Sequence, residues 1–152
     1  MNYLAPTKYV NILLVEDNPA DVRLTQEAFK GARIKNTLDI AMDGEEALNY
    51  IKKLGKHENA ETPDLILLDL NIPKKNGHAV LAEIKTDAAF SHIPIIILTT
   101  SSAEEDILSA YKRHANCYIT KPGDFRDFIK VVRTIEDFWF KIARLPKARS
   151  NC

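Results

Sequence analysis

Two cysteines, five glycines and one tryptophan among 152 residues rule out several common kinds of site. Cys117 lies in a short strand-like run and Cys152 is the last residue. They read as free thiols rather than a disulfide framework, and no CxxC or Cys/His cluster offers zinc a site. The glycines, at 31, 44, 55, 77 and 123, form neither GxGxxG nor a Walker loop, so the usual nucleotide cradles are missing. No apolar run approaches the ~20 residues that a bilayer requires. The first residues, MNYLAPTKYV, lack the basic start, apolar middle and small-residue cleavage site of a secretory signal. A net charge is missing too. The 21 basic and 21 acidic residues cancel, so no overall field draws the chain to nucleic acid or a membrane. The late basic residues Lys141, Arg144, Lys147 and Arg149 accompany no DNA-binding motif and read as a solvated edge. The expectation is a cytoplasmic protein that touches neither membrane nor nucleic acid.

Apolar segments at regular intervals are present. Hydrophobic residues make up 45% of the chain, enough for one domain with its own core. Five runs stand out: YVNILLV (9–15), TLDIAM (37–42), LILLDL (65–70), IPIIILT (93–99) and CYIT (117–120). The first, third and fourth are almost continuous in Leu, Ile and Val, as in strands buried on both faces of a parallel sheet. Helical patterns fill the gaps. Asn18 with Pro19 starts one that Gly31 can end, and Asp43 caps GEEALNYIKKL with Glu46 three residues on and Gly55 beyond. HAVLAEIK (78–85) follows, and Ser101 and Ser102 before Glu104 and Glu105 suggest a capping box ahead of DILSAYKRHA. In the last segment (124–143), Phe125, Phe128, Ile129, Val132, Ile135, Trp139 and Ile142 keep a 3.6 period. The polar stretch GKHENAETP (55–63) reads as a surface loop. Strand and helix alternate five times, which implies right-handed crossovers and a doubly wound α/β fold: a five-stranded parallel sheet flanked by five helices.

In such sheets, sites form beyond the carboxyl ends of the strands. Glu16 and Asp17 end the first strand, Asp69 the third, Thr99 and Thr100 the fourth, and Thr120 and Lys121 the fifth. With strands one and three adjacent and four and five beside them, three carboxylates, a hydroxyl and an ammonium gather at one edge. Taken singly, the acids read as helix caps. Together they repel one another, and a hard divalent cation such as Mg2+ relieves that repulsion. Asp69 would then be an ionised carboxylate nucleophile toward phosphorus, with the metal and Lys121 offsetting the charge on the transferred group.

LLVEDNPAD (13–21), LILLDLNIPKKNG (65–77), IIILTTS (95–101) and CYITKP (117–122) resemble the four signature segments of two-component receiver domains, in the right order. The separations of 30 residues from Asp69 to Thr99 and 52 to Lys121 match that family's spacing. The resemblance implies the (βα)5, flavodoxin-like receiver fold over residues 9–145, between a short extension (1–8) and a tail (146–152). It makes Asp69 the phosphoacceptor. Asp17 is the direct ligand of Mg2+ (or Mn2+), Glu16 helps hold the metal, and Asn71 lends its backbone carbonyl. Thr99 is the hydroxyl that turns to the phosphoryl group, and strand alternation sends Thr100 to the opposite face. Lys121 is the salt-bridge partner, with a cis bond to Pro122. Tyr118 is the switch aromatic, and Pro73 and Gly77 shape the loop past Asp69, Gly77 by allowing a sharp turn.

The polar loop at 55–63, NCYITKP and the ending IEDFWFKIARLP also resemble the small response regulators that serve cyanobacterial phytochromes. That narrower likeness implies a phytochrome-type sensor histidine kinase as donor and light as the signal. No output domain follows, so readout falls to this domain, by protein contact. Phe138, Trp139 and Phe140 cannot all face one core. Trp139 fits the apolar stripe, which leaves Phe138 or Phe140 for an interface, and a homodimer through the fourth helix, fifth strand and fifth helix is expected. Such a switch is a phosphoacceptor with slow autodephosphorylation rather than an enzyme. Two rivals stand beside it. A phosphohydrolase of the haloacid dehalogenase type needs an acid where Asn71 stands. A pseudo-receiver would bind partners without phosphorylation, although here every key position is filled.

Overall fold

A computed structural model describes residues 9–142. The extension 1–8, the boundary at 145, the tail, Arg144, Lys147, Arg149 and Cys152 lie outside the described residues, as do the side chains of Lys141 and Ile142. Five strands, β1 (Val10–Val15), β2 (Asn36–Ala41), β3 (Leu65–Leu68), β4 (Ile95–Thr99) and β5 (Cys117–Thr120), form one parallel sheet in the order β2-β1-β3-β4-β5. The helices are α1 (Pro19–Lys30), α2 (Gly44–Lys52), α3 (Gly77–Lys85), α4 (Glu104–Lys112) and α5 (Phe125–Ile135). None of the described helices is long and apolar enough to cross a membrane.

Strand periodicity explains the unbroken apolar runs. Alternate residues point to opposite faces, and each face has its own core. Leu13, Val15, Ile66, Leu68, Ile95 and Ile97 pack under α2 and α3 with Ala47, Leu48, Ile51, Val80, Leu81 and Ile84. Ile12, Leu14, Leu65, Leu67, Ile96 and Leu98 pack under α1 and α5 with Ala28, Phe29, Phe128, Val132 and Ile135. A strand covered on both sides needs apolar residues at every position. Each buried Leu or Ile contributes about 1.5–3 kcal/mol relative to exposure, so the centre of the sheet is a rigid base for whatever its ends carry.

Several boundaries differ from the sequence expectation. Asn18 and Asp43 cap α1 and α2 as expected, with Asn18 Oδ1 accepting from the N–H groups of Ala20 and Asp21 and Asp43 Oδ1 from that of Glu46. The reciprocal Glu46 bond reaches the N–H of Met42 rather than that of Asp43. α2 stops at Lys52 because Lys53 takes the left-handed conformation (φ 59°), two residues before Gly55. α4 begins after Ala103, which offers no side-chain cap. Ser101 Oγ instead donates to Asp106 Oδ2 at 2.6 Å, so the expected capping box does not start this helix. The stretch 55–63 is not a plain loop. It opens with a 3-10 turn (Gly55–His57), and Ala60 packs against the core. The last helix changes from α to π winding over Glu136–Ile142, so its 3.6 period ends at Ile135. Phe125, expected on the apolar stripe, is 53% exposed.

Candidate functional site

Backbone hydrogen bonds carry the sheet one residue past its strands. The N–H of Glu16 donates to Ala41, that of Asp69 to Val15, and that of Lys121 to Thr99, at 3.0, 3.0 and 2.7 Å. The residues just beyond the apolar runs are thus fixed by the sheet rather than left to loops. They form an acidic pocket at its carboxyl edge. Glu16 and Asp69 are buried and Asp17 is half-buried.

Lys121 fills the middle of this pocket. Its ammonium donates to Glu16 Oε1, to Asp21 Oδ2 at 2.9 Å and to Asp69 Oδ2 at 3.1 Å. The second oxygens are also engaged: Glu16 Oε2 accepts from the Asn18 N–H at 3.1 Å, and Asp69 Oδ1 from the Asn71 N–H at 3.2 Å. Burial pushes the Glu16 carboxyl up to about 7, against the lowering effect of Lys121. For Lys121, burial by itself would favour the neutral amine. The hydrogen bonds to Glu16 and Asp21 outweigh it and hold the ammonium above its ordinary range. The pocket is therefore built to hold positive charge.

Sequence reasoning missed Asp21, although it lies in the stretch LLVEDNPAD. It is the third residue after the Asn18 cap, where an acid is ordinarily explained by the helix dipole. Its pairing with Lys121, 100 residues away, leaves no periodic trace.

Thr99 is fully buried and Thr100 is exposed, as strand alternation requires. Thr99 Oγ1 accepts a long bond, 3.5 Å, from the Ser101 N–H. Tyr118 is half-buried against the α2–α3 core and donates to the Ser101 carbonyl at 2.9 Å. The Lys121–Pro122 bond is trans, since the described residues contain no cis peptide. This corrects the cis expectation. Trans is the lower-energy form even before proline, by about 0.5–1 kcal/mol, and Lys121 reaches all three carboxylates with it. Gly77 also acts differently from the expected turn residue. The left-handed backbone of that loop belongs to Lys74 (φ 69°). At Gly77 a Cβ would lie 2.5 Å from the Asp69 carbonyl oxygen, so the glycine permits close approach of α3 to the chain leaving Asp69. Of the aromatic triplet, Phe138 is exposed while Trp139 and Phe140 lean on the α1–α5 core.

Hard carboxylate oxygens from Glu16, Asp17 and Asp69 on one edge are the donor set that Mg2+ or Mn2+ takes, and burial of Glu16 adds to the demand for a cation. In the present side-chain arrangement that demand is met by Lys121. Among the described residues no three Asp, Glu, His or Cys side chains are grouped as metal ligands.

Comparison with known proteins places these features in a family. Residues 12–133 match the response regulator receiver domain. The chain is 47% identical to the response regulator Rcp1 of Synechocystis sp. over 90% of its own length and 93% of that protein's. The crystal structure of the phosphorylated cyanobacterial phytochrome response regulator RcpA superposes with a TM-score of 0.89 at 46% identity, covering 92% of this chain and all of that one. The Mn2+-bound form of Rcp1 gives 0.86, also at 46% identity, covering 91% and 99%.

Proposed function

The chain belongs to the response regulator receiver domain family, and on that premise we propose that it is a cytoplasmic phosphoryl-accepting switch in a histidine-to-aspartate phosphorelay, with Asp69 as the acceptor. The carrying observation is Asp69 itself, 7% exposed at the end of β3 with Lys121 bonded to one carboxylate oxygen. The Asp69 carboxylate forms the new bond to phosphorus as the donor's bond to phosphorus breaks, the leaving group keeping the electron pair. The product is an acyl phosphate. Lys121 holds an ammonium against the transferred charge, and Thr99 supplies a hydroxyl to the phosphoryl oxygens. Glu16, Asp17 and Asp69, with the Asn71 carbonyl, would hold Mg2+ or Mn2+, which when bound supplies the remaining positive charge. Tyr118 would follow Thr99 inward, carrying the change to the surface.

The donor we propose is a phytochrome-type sensor histidine kinase. The identity to Rcp1 and RcpA, the latter a phytochrome response regulator by name, supports this. The proposed output is protein contact, through a homodimer on α4, β5 and α5. Leu108 and Tyr111 on α4 and Phe138 beyond α5 are exposed. Neither nucleic acid nor membrane has a part in this reading.

With Mg2+ and acetyl phosphate, the intact protein should gain the mass of one phosphoryl group, and Asp69→Asn should not. A gain that survives Asp69→Asn, or no gain on the native chain, refutes the assignment. The second outcome would favour the pseudo-receiver.

A further inference from the structure

Lysine has three N–H donors and no acceptor, and at Lys121 each donor goes to a different carboxylate, on Glu16, Asp21 and Asp69. The three contacts are not equivalent. The side chains of Glu16 and Asp69 are 3% and 9% exposed, whereas that of Asp21 is 30% exposed. A buried carboxylate that loses a donor cannot replace it, but one at the rim regains it from water. The Asp21 contact is therefore the least costly to break. Asp21 is also well fixed, because its N–H is held by Asn18 Oδ1 at 3.1 Å at the start of α1.

Resting on the phosphoacceptor reading above, we infer that Asp21 is a positioning residue that holds the Lys121 ammonium in the unphosphorylated protein and competes for it with the phosphoryl group on Asp69. A phosphoryl oxygen needs a donor from Lys121, and all three are in use. Asp21 releases its donor and turns to solvent. Whatever the Asp21–Lys121 pair contributes before transfer is lost afterwards, so the pair biases the equilibrium against the phosphorylated form. Partly exposed ion pairs are modest, which limits the bias to about fivefold.

The test uses the full chain with Mg2+ and compares wild type, Asp21→Asn and Asp21→Glu. The fraction phosphorylated is read by mass as acetyl phosphate is varied, and Mg2+ affinity is read separately by Trp139 fluorescence or calorimetry. Asp21→Asn should lower the midpoint by up to about fivefold without changing the maximal extent, and Asp21→Glu should return it toward wild type. Loss of fold would lower the extent instead, so a shifted midpoint at full extent is not a structural effect. In the same samples, acylation of Lys121 by a water-soluble active ester should quicken in Asp21→Asn, since one partner of the ammonium is gone. An unchanged or raised midpoint in Asp21→Asn overturns the inference. So does weakened Mg2+ binding in that variant, which would place Asp21 among the metal-holding carboxylates. If wild type itself takes up no phosphoryl group, the phosphoacceptor reading fails first and this inference fails with it.

Discussion

Among the carboxylates, Glu16 is the one whose chemistry is most altered by its place in the fold. Its carboxyl is raised from the usual 4.5 to about 7, chiefly by burial. The sign of the linkage follows. A group with a raised folded pKa contributes stability that is fully present below about 4.5 and is lost as pH rises through about 7. Lys121 is raised as well, and its contribution stays intact up to the ordinary lysine range. Glu16 therefore governs the window between 4.5 and 7. Without a divalent ion, melting temperature should fall across that window. Mg2+ should raise it more above pH 7 than below, because ionised Glu16 then has a second cation to face besides Lys121. Thermal melts with and without a chelator check this, and an Mg2+ effect independent of pH would remove Glu16 from the metal site.

At the scale of single elements, local rules worked where local chemistry decides. Asn18 and Asp43 cap their helices through their own side chains, as expected, which is physics within four residues. They failed where another element decides. α4 starts after Ala103, and Asp106 in its first turn, which accepts from Ser101, is met by His78 of α3 at 3.1 Å. The end of α5 winds into a π-helix where buried Glu136 accepts from the N–H of Ile34, 102 residues earlier, at 2.6 Å. The junction of α3 with the site gives a prediction of its own. In Gly77→Ala the new methyl would press on backbone atoms of Asp69 and Leu70, which cannot swing aside. A loss of about 1–3 kcal/mol is expected, together with slower phosphorylation, because the displaced peptide is that of Asp69. Denaturant melts and phosphorylation time courses check both; a stable, fully active variant would show that α3 can shift without cost.

At the scale of the whole molecule, the two cores leave the sheet little freedom, so signalling has to pass through surfaces. Phe138 meets Trp139 edge to face, with ring centroids 5.3 Å apart, and is 48% exposed. Leu108 and Tyr111 are exposed on α4. The proposed homodimer would cover these side chains. Phe138→Ala should raise its dissociation constant by roughly fivefold or more, about 1 kcal/mol. Sedimentation of both proteins, phosphorylated and not, measures this. A wild type that stays monomeric at high concentration removes the dimer from the account.

The sequence by itself determined the order of strands and helices, the two-faced burial of β1, β3 and β4, and the carboxylates, hydroxyl and ammonium at their ends. These follow from apolar periodicity and caps, which act between near neighbours and are written in runs of residues. The tertiary structure alone decided that Asp21 shares Lys121 with Glu16 and Asp69, and that Phe138 rather than Phe140 is the exposed member of the aromatic triplet. The Asp21 and aromatic outcomes depend on side chains about 100 residues apart meeting in a low-dielectric pocket or against a core, and such meetings impose no period on the chain.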